Sequence, residues 1–147
     1  MFIDGKLVES KSGRYFDNIN PATEEVLGQT SDATPEDARD AIAAARNAFD
    51  NSAWATDREL RKRCLNQLQA ALESEREEFR AELVAEVGTP VQLTYGYQLD
   101  AVLDEALKWP IEFIDEFQWE RQIANGHNFG SNSHRFVWKE PVGVVGA

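Results

Sequence analysis

The sequence predicts an α/β fold made of a small β unit, a helical region and a final buried strand. The β unit is indicated by Asp4-Gly5, a dipeptide that accepts the positive φ angles of a tight type I′ hairpin turn. Helices are indicated from Thr34, where apolar residues begin to recur with helical spacing. The strand is indicated by residues 142–147, an apolar run after Pro141 that is typical of parallel sheets covered by helices. Because parallel strands are joined through crossover helices, we expect its partner strands to lie outside this chain.

Composition and charge limit the classes of function. The chain has 147 residues, of which 42% are hydrophobic and 28% are charged, as in globular proteins. Its formal net charge of -11 argues against a nucleic-acid partner, because phosphate binding needs a basic surface. No apolar run is long enough to span a bilayer, and the N-terminus lacks a signal-peptide pattern. The single cysteine suits a reducing compartment, so we expect a cytoplasmic protein without a membrane partner.

The β unit continues beyond the first turn. Residues 2–8 are two short apolar arms around Asp4-Gly5, and residues 16–19 and 25–30 are two further extended segments. The intervening Asn-Pro-Ala-Thr of residues 20–23 is a turn signal. We expect a small antiparallel unit at the edge of a larger structure.

Two of four predicted helices follow directly. The first has Thr34 as N-cap and Pro35 at its first position, and it ends near Ser52. The second begins at residues 56–59, whose Thr-x-x-Glu spacing is that of a capping box. Leucines and Cys64 recur every four residues along it, which places the thiol on the buried side of that helix.

The other two helices occupy residues 74–117. A second capping box, residues 74–77, starts a third helix or a kinked continuation of the second, which stops at Gly88. Thr89-Pro90 then starts the fourth and longest helix, which is expected to kink at Pro110. After it, the polar residues 122–133 predict a flexible loop, and the alternating residues 134–139 predict a half-exposed strand.

Reactive residue types do not form a recognisable site in this sequence. Cys64 lies in apolar packing, where a thiol is inert. His127 and His134 lack metal-ligand spacing. The Gly143-x-x-Gly146 pair is not the dinucleotide-binding fingerprint, and no helix follows to bind a phosphate. The residues alone therefore predict neither a catalytic group nor a cofactor-binding group.

Six short motifs, in order, resemble one family. They are Phe2-Ile-Asp-Gly-Lys6, residues 20–23, the alanine-rich helix ending at Ala48-Phe49, the Trp54 loop, Glu86-Val-Gly-Thr-Pro90 and Glu140-Pro-Val-Gly-Val-Val-Gly146. Together they resemble the N-terminal quarter to third of an NAD(P)-dependent aldehyde dehydrogenase, and the resemblance covers the whole chain. Each motif is weak alone, but six in the right order are specific.

The resemblance implies a parent α/β fold with a Rossmann-type cofactor domain. Residues 1–121 would be the β unit and helices that pack on the cofactor-binding domain. Residues 122–140 would be the loop and strand of an oligomerisation arm, in a homodimer or homotetramer. Residues 141–147 would begin the cofactor-binding sheet.

The resemblance also implies a covalent mechanism for the parent enzyme. A cysteine thiolate attacks the aldehyde, hydride passes to NAD or NADP, and an activated water releases the acid. In the family, the nucleophile, the general base and an oxyanion-stabilising Pro-Trp-Asn segment come after the strand at residues 142–147. Cys64 does not match that nucleophile, so the chain alone is expected to be inactive.

Only supporting residues are implied within this chain. Tyr97, Ala101 and Gln98 match the helix that lines the aldehyde entry tunnel, although ordinary helix packing explains Tyr97 and Ala101 equally well. Ile19 and Glu86 match positions that bind a structural monovalent cation, although Glu86 is also explained as a surface acid at a helix end. Thr89 stands where the family often has lysine, which indicates a separate subfamily.

A different class of function stays open. The chain could be a free-standing acidic α-helical interaction module without catalysis. The mass of the native protein separates the two hypotheses, because the enzyme requires a longer polypeptide.

Overall fold

The computed structural model describes residues 1–146, which form helices and three separate two-stranded antiparallel sheets. The strands are β1 (Phe2–Ile3), β2 (Lys6–Leu7), β3 (Tyr15–Ile19), β4 (Val26–Ser31), β5 (Glu120–Asn128) and β6 (Ser131–Trp138). The helices are α1 (Pro35–Asn51), α2 (Arg58–Ser74), α3 (Arg76–Val87), α4 (Val91–Thr94), α5 (Asp100–Glu105) and α6 (Lys108–Glu116), with a 3-10 turn at Ala53–Ala55.

The N-terminal β unit agrees with the prediction from its turn residues. β1 and β2 pair Phe2 with Leu7, and the turn residues Asp4 and Gly5 have φ angles of 53° and 73°. Two consecutive positive φ angles are what a type I′ turn requires. β3 and β4 form a second hairpin with a bulge beside Ile19. The predicted antiparallel strand pairs are therefore confirmed, but they form two separate two-stranded sheets and not one unit.

Asp37 ties the start of α1 to the β unit. Thr34 is the N-cap, and its hydroxyl and the Asp37 side chain form a reciprocal capping box. The Asp37 carboxylate, only 4% exposed, also accepts hydrogen bonds from the Ser10 hydroxyl at 3.0 Å and the Lys11 amide at 3.2 Å. The hydrogen bond from the Thr34 amide is the main reason that the pKa of Asp37 falls from its usual 3.8 to about 2.

The Asp37 carboxylate should make the stability of the fold depend on pH in the acidic range. Between about pH 4 and pH 2 the unfolded chain binds a proton at Asp37 that the folded chain does not, so stability falls as pH falls through this window. In thermal unfolding measured across that pH range, the melting temperature of Asp37→Asn should fall less than that of the wild type. Asp4→Asn, at an exposed position of the β1–β2 turn, is the control and should follow the wild type. Parallel profiles for the wild type and Asp37→Asn would contradict this assignment.

Two predicted helix starts are displaced. α2 is capped by Asp57, whose carboxylate accepts from the Leu60 amide, so the capping box predicted at residues 56–59 is wrong by one position. Ser74 does not cap α3, because its hydroxyl donates to the Ala71 carbonyl within the last turn of α2. Gly88 ends α3 at a φ of 70°, as predicted.

The prediction of one long fourth helix is wrong. Three short helices, α4, α5 and α6, replace it. The Thr94 hydroxyl donates to the Val91 carbonyl, and Leu99 adopts φ -143° and ψ -64°, which breaks the helical path between α4 and α5. Pro110 lies in the first turn of α6, where its missing N–H costs nothing, so it marks a helix start and not a kink.

The predicted loop at residues 122–133 is also wrong. These residues belong to β5, a turn at Phe129 and Gly130 with φ angles of 51° and 78°, and β6. The polar sequence has no alternating pattern of its own, because both strands are largely exposed and are held by pairing with each other. The division at residues 121 and 140 stays a prediction.

The core lies where α2, α5 and α6 meet. Leu99, Leu103 and Ile111 are its buried apolar side chains, and the Gln69 amide donates to the Leu103 carbonyl. On α2 the buried position is Gln69, whereas Leu68 is 48% exposed, so the inward side predicted from the leucines is displaced by one residue.

The last described residues do not join this core. Residues 141–146 pair with no strand of the described chain, and Val142 and Val145 are 89% and 72% exposed. Ala147, the last residue of the predicted final strand, lies outside the described residues. The expectation that this strand begins the cofactor-binding sheet stays a prediction. Within residues 1–146, no helix combines the length and apolar character needed to cross a membrane.

Candidate functional site

The three predicted tunnel residues lie around one turn, between α4 and α5. Tyr97 is 91% exposed, Gln98 is also exposed, and Ala101 is half-buried in the first turn of α5. The Gln98 and Ala101 amides donate to the carbonyls of Leu93 and Gly96, which fixes the backbone of the turn. The phenol ring of Tyr97 therefore projects from an ordered backbone with little packing against the described chain.

Arg80 fastens this turn to α3. Its side chain is 6% exposed, and its guanidinium donates to the Asp100 carboxylate at 2.8 Å and to the Thr94 hydroxyl at 2.9 Å. It also lies 4.0 Å from the centre of the Tyr95 ring, as in a cation–π contact. One buried cation thus contacts both ends of the turn that presents Tyr97.

Arg76 strengthens the same attachment from one helical turn earlier. It donates to Asp100 at 3.0 Å and to Asp104 at 2.5 Å. Hydrogen bonds from Arg80 and then Arg76 lower the pKa of Asp100, and those to Glu77 and then Asp100 raise the pKa of Arg80. Arg76, Arg80 and Asp100 are therefore charged at neutral pH.

The sequence analysis missed this ion-pair network. Its signal was a matching spacing: two arginines four residues apart on α3, and two aspartates four residues apart on α5. Side chains with that spacing share one helix face, so two helices with opposite charges can pair at two levels.

The two predicted cation-site positions are linked through a neighbour of Ile19. The amide of Asn18, next to Ile19, donates to the Glu86 carboxylate at 3.0 Å. Gly88, at the end of α3, lies against the Pro21 ring. A Cβ added to Gly88 would lie 3.0 Å from Cγ of Pro21. These contacts join the β3–β4 hairpin to the end of α3.

The fit of these residues to a cation is partial. A carboxylate oxygen and backbone carbonyls suit a hard cation, but one Glu86 oxygen already accepts from Asn18. Among residues 1–146, no three histidine, cysteine or acidic side chains are grouped as a metal site. The assignment of Ile19 and Glu86 to a cation stays a prediction.

Cys64 is a free thiol, half-buried in α2. The packing role expected for this thiol stays a prediction.

Comparison with known proteins identifies the family. The sequence pattern of the "Aldehyde dehydrogenase family" matches residues 7–147, which is nearly the whole chain. The chain belongs to the aldehyde dehydrogenase family. The motifs at residues 20–23 and 140–146 lie inside the matched region, so the resemblance noted from the sequence is confirmed.

Curated aldehyde dehydrogenases match the chain almost from end to end. Aldehyde dehydrogenase 1 of Tanacetum cinerariifolium is 32% identical over 149 aligned positions, which cover 99% of this chain. Aminoacetaldehyde dehydrogenase of Pseudomonas aeruginosa and mitochondrial aldehyde dehydrogenase of Homo sapiens are also 32% identical, over 99% of the chain. In all three cases the chain spans only 28% of the relative's length.

Solved aldehyde dehydrogenases share the fold of this segment. Indole-3-acetaldehyde dehydrogenase in its apo form superposes with a TM-score of 0.78 at 29% identity, covering 86% of this chain and 30% of that one. Betaine aldehyde dehydrogenase of Staphylococcus aureus in complex with NAD+ gives a TM-score of 0.71 at 28% identity, covering 83% and 24%. The predicted fold class, a segment of an aldehyde dehydrogenase, is confirmed.

Proposed function

We propose that this chain works as the N-terminal part of an enzyme that oxidises an aldehyde to a carboxylic acid with NAD or NADP. The match to aldehyde dehydrogenases over residues 7–147 is the observation that supports this proposal. The bound dinucleotide would accept the hydride in the enzyme, and an enzyme cysteine outside this chain would form the thiohemiacetal. Residues 1–146 would contribute neither of these groups.

The contribution of this chain would be to shape the approach of the aldehyde. Tyr97 and Gln98 would line the entry tunnel, with Ala101 below them on α5. The exposure of Tyr97 supports this role, because an exposed aromatic ring is available to contact another surface. Arg80 and Asp100 would hold the turn in place without touching the substrate.

Kinetics of the enzyme that contains this chain test the tunnel assignment. Tyr97→Ala should lower kcat/KM for the aldehyde roughly tenfold, the loss of about 1.4 kcal/mol of aromatic contact. The KM for the dinucleotide should stay unchanged, because the tunnel is separate from the cofactor site. Tyr15→Ala, at an exposed position on β3, is the matched control and should leave both parameters unaltered. Equal kinetics for the wild type and Tyr97→Ala would refute the assignment.

The cation assignment has a thermal test. If the Ile19 carbonyl and Glu86 bind a structural monovalent cation, replacing choline chloride by potassium chloride at equal ionic strength should raise the melting temperature. Glu86→Gln should abolish that increment, whereas Glu82→Gln, at another exposed position of α3, should retain it. If potassium chloride did not raise the melting temperature of the wild type, the cation assignment would be refuted.

Assembly and location complete the proposal. The enzyme would be a cytoplasmic homodimer or homotetramer, with the β5–β6 hairpin in its oligomerisation arm. The length and exposure of that hairpin support this role, since an exposed strand edge offers unpaired backbone groups to another chain. Light scattering of the purified enzyme measures its oligomeric state, and a monomer would contradict the proposal.

A further inference from the structure

The dipeptide Asn125-Gly126 occupies an irregular position in the β5–β6 hairpin. The register changes from Ile123 paired with Arg135 to Gly126 paired with Ser133. Two residues of β5, Ala124 and Asn125, therefore stand opposite one residue of β6, His134. This arrangement is a β-bulge, in which the extra residue is left unpaired and interrupts the regular ladder.

The side-chain amide of Asn125 is exposed and polarised. Its Oδ1 atom accepts a hydrogen bond from the Gln122 side-chain amide at 3.1 Å. Donation to that oxygen withdraws electrons from the Cγ carbon and stabilises negative charge on Oδ1 when a nucleophile adds. The hydrogen bond thus prepares the carbon for attack.

The backbone nitrogen of Gly126, the residue that follows Asn125, is the nucleophile. Gly126 has no Cβ to shield its amide nitrogen from the preceding side chain. The guanidinium of Arg135 lies over Gly126, so a Cβ added there would have to displace the end of that flexible side chain. Asn125-Gly126 therefore joins a polarised side-chain carbonyl to the least hindered backbone amide among the residue types.

We propose that Asn125 is a site of intramolecular deamidation. The Gly126 amide loses a proton and its nitrogen bonds to Cγ of Asn125, giving a tetrahedral intermediate with charge on Oδ1. The bond from Cγ to Nδ2 then breaks, ammonia leaves with the proton, and a succinimide ring remains. Water opens the ring at either carbonyl, giving aspartate or isoaspartate. The net change is water consumed and ammonia released, without oxidation or reduction.

The product would alter the hairpin in two ways. Either isomer adds a carboxylate opposite His134, on a chain whose net charge is already -11. Isoaspartate also adds one carbon to the backbone of β5, which changes the register toward the turn. The modification therefore acts on the geometry of the strand pair as well as on its charge.

Timed incubation of the wild-type chain at mildly alkaline pH tests the proposal. Peptide mass mapping follows deamidation at Asn125 and, as internal controls, at Asn51-Ser52 and Asn132-Ser133, with the same digest repeated in denaturant. We expect Asn125 to react fastest in the native protein, at a rate close to its rate in denaturant, while folding slows the two controls. A native rate at Asn125 as strongly suppressed as at Asn132 would overturn the proposal, because the strand would then protect the amide.

A pair of variants tests the contribution of Gln122. Gln122→Met should slow native deamidation at Asn125 severalfold and leave the rate in denaturant unchanged, since the hydrogen bond exists only in the fold. Gln67→Met, at an exposed position of α2, is the matched control and should react like the wild type. Equal native rates for Gln122→Met and the wild type would overturn the polarisation step.

Discussion

Asp100→Ala is expected to destabilise the chain more than any other change of an acidic residue in α5. It removes the less exposed of the two carboxylates that pair with the buried Arg80, leaving it with Glu77, which is 73% exposed, and Arg76 loses one of its own two carboxylates. Removing one partner from a buried cation is unfavourable, because the cation has lost water and its charge is then less fully compensated. We expect the melting temperature to fall by about 5 °C or more.

A matched control lies one helical turn away. Asp104 pairs with Arg76, but its side chain is 53% exposed, so Asp104→Ala should change the melting temperature only slightly. The double variant Arg80→Met/Asp100→Ala should recover part of the loss, because an apolar side chain can fill the site without needing a charge partner. Equal melting temperatures for Asp100→Ala and Asp104→Ala would show that the network does not hold α5.

Local chemistry made the N-terminal elements predictable. The positive φ angles at Asp4 and Gly5, the N-cap at Thr34 and the left-handed Gly88 each depend on residues within a few positions of one another. Such features are readable because the side chain that satisfies the backbone lies next to it in sequence. The family motifs were recognisable for a related reason, since most mark turns and helix ends.

The errors arose where distant contacts decide the structure. Apolar periodicity continues through residues 95–99, yet Arg80 and Thr94 fix the chain there in a turn that no local pattern indicates. β5 is a strand because β6 pairs with it, and its polar residues show neither alternation nor burial. Propensity is a weak guide in both places because tertiary contacts override it.

The candidate tunnel residues stay a prediction, and the ion pairs that hold their turn were not predicted. Tyr97, Gln98 and Ala101 came from resemblance, and the structure places them around one turn beside α5. The arginine and aspartate pairs that attach the turn to α3 were not foreseen, because buried charges look like surface charges in a sequence. Only their equal spacing on two helices distinguishes them.

The second large effect concerns activity: we expect the isolated chain not to oxidise aldehydes. Residues 1–146 offer one cysteine, half-buried in α2, and no feature in the described chain that activates it. Reduction of the dinucleotide needs an activated thiolate beside a bound nicotinamide, and neither is predicted here. Without the activated thiolate and the bound nicotinamide, we expect no measurable reaction, and not only a slower one.

This claim is tested most directly by incubating the purified 147-residue chain with NAD or NADP and a panel of aliphatic and aromatic aldehydes. The absorbance of NADH or NADPH measures any product. A full-length aldehyde dehydrogenase serves as the positive control, and Cys64→Ser shows whether the one thiol contributes. The account predicts a signal no greater than that of the buffer, identical for the wild type and Cys64→Ser. Sustained formation of NADH or NADPH that requires the aldehyde, and that Cys64→Ser abolishes, would contradict it.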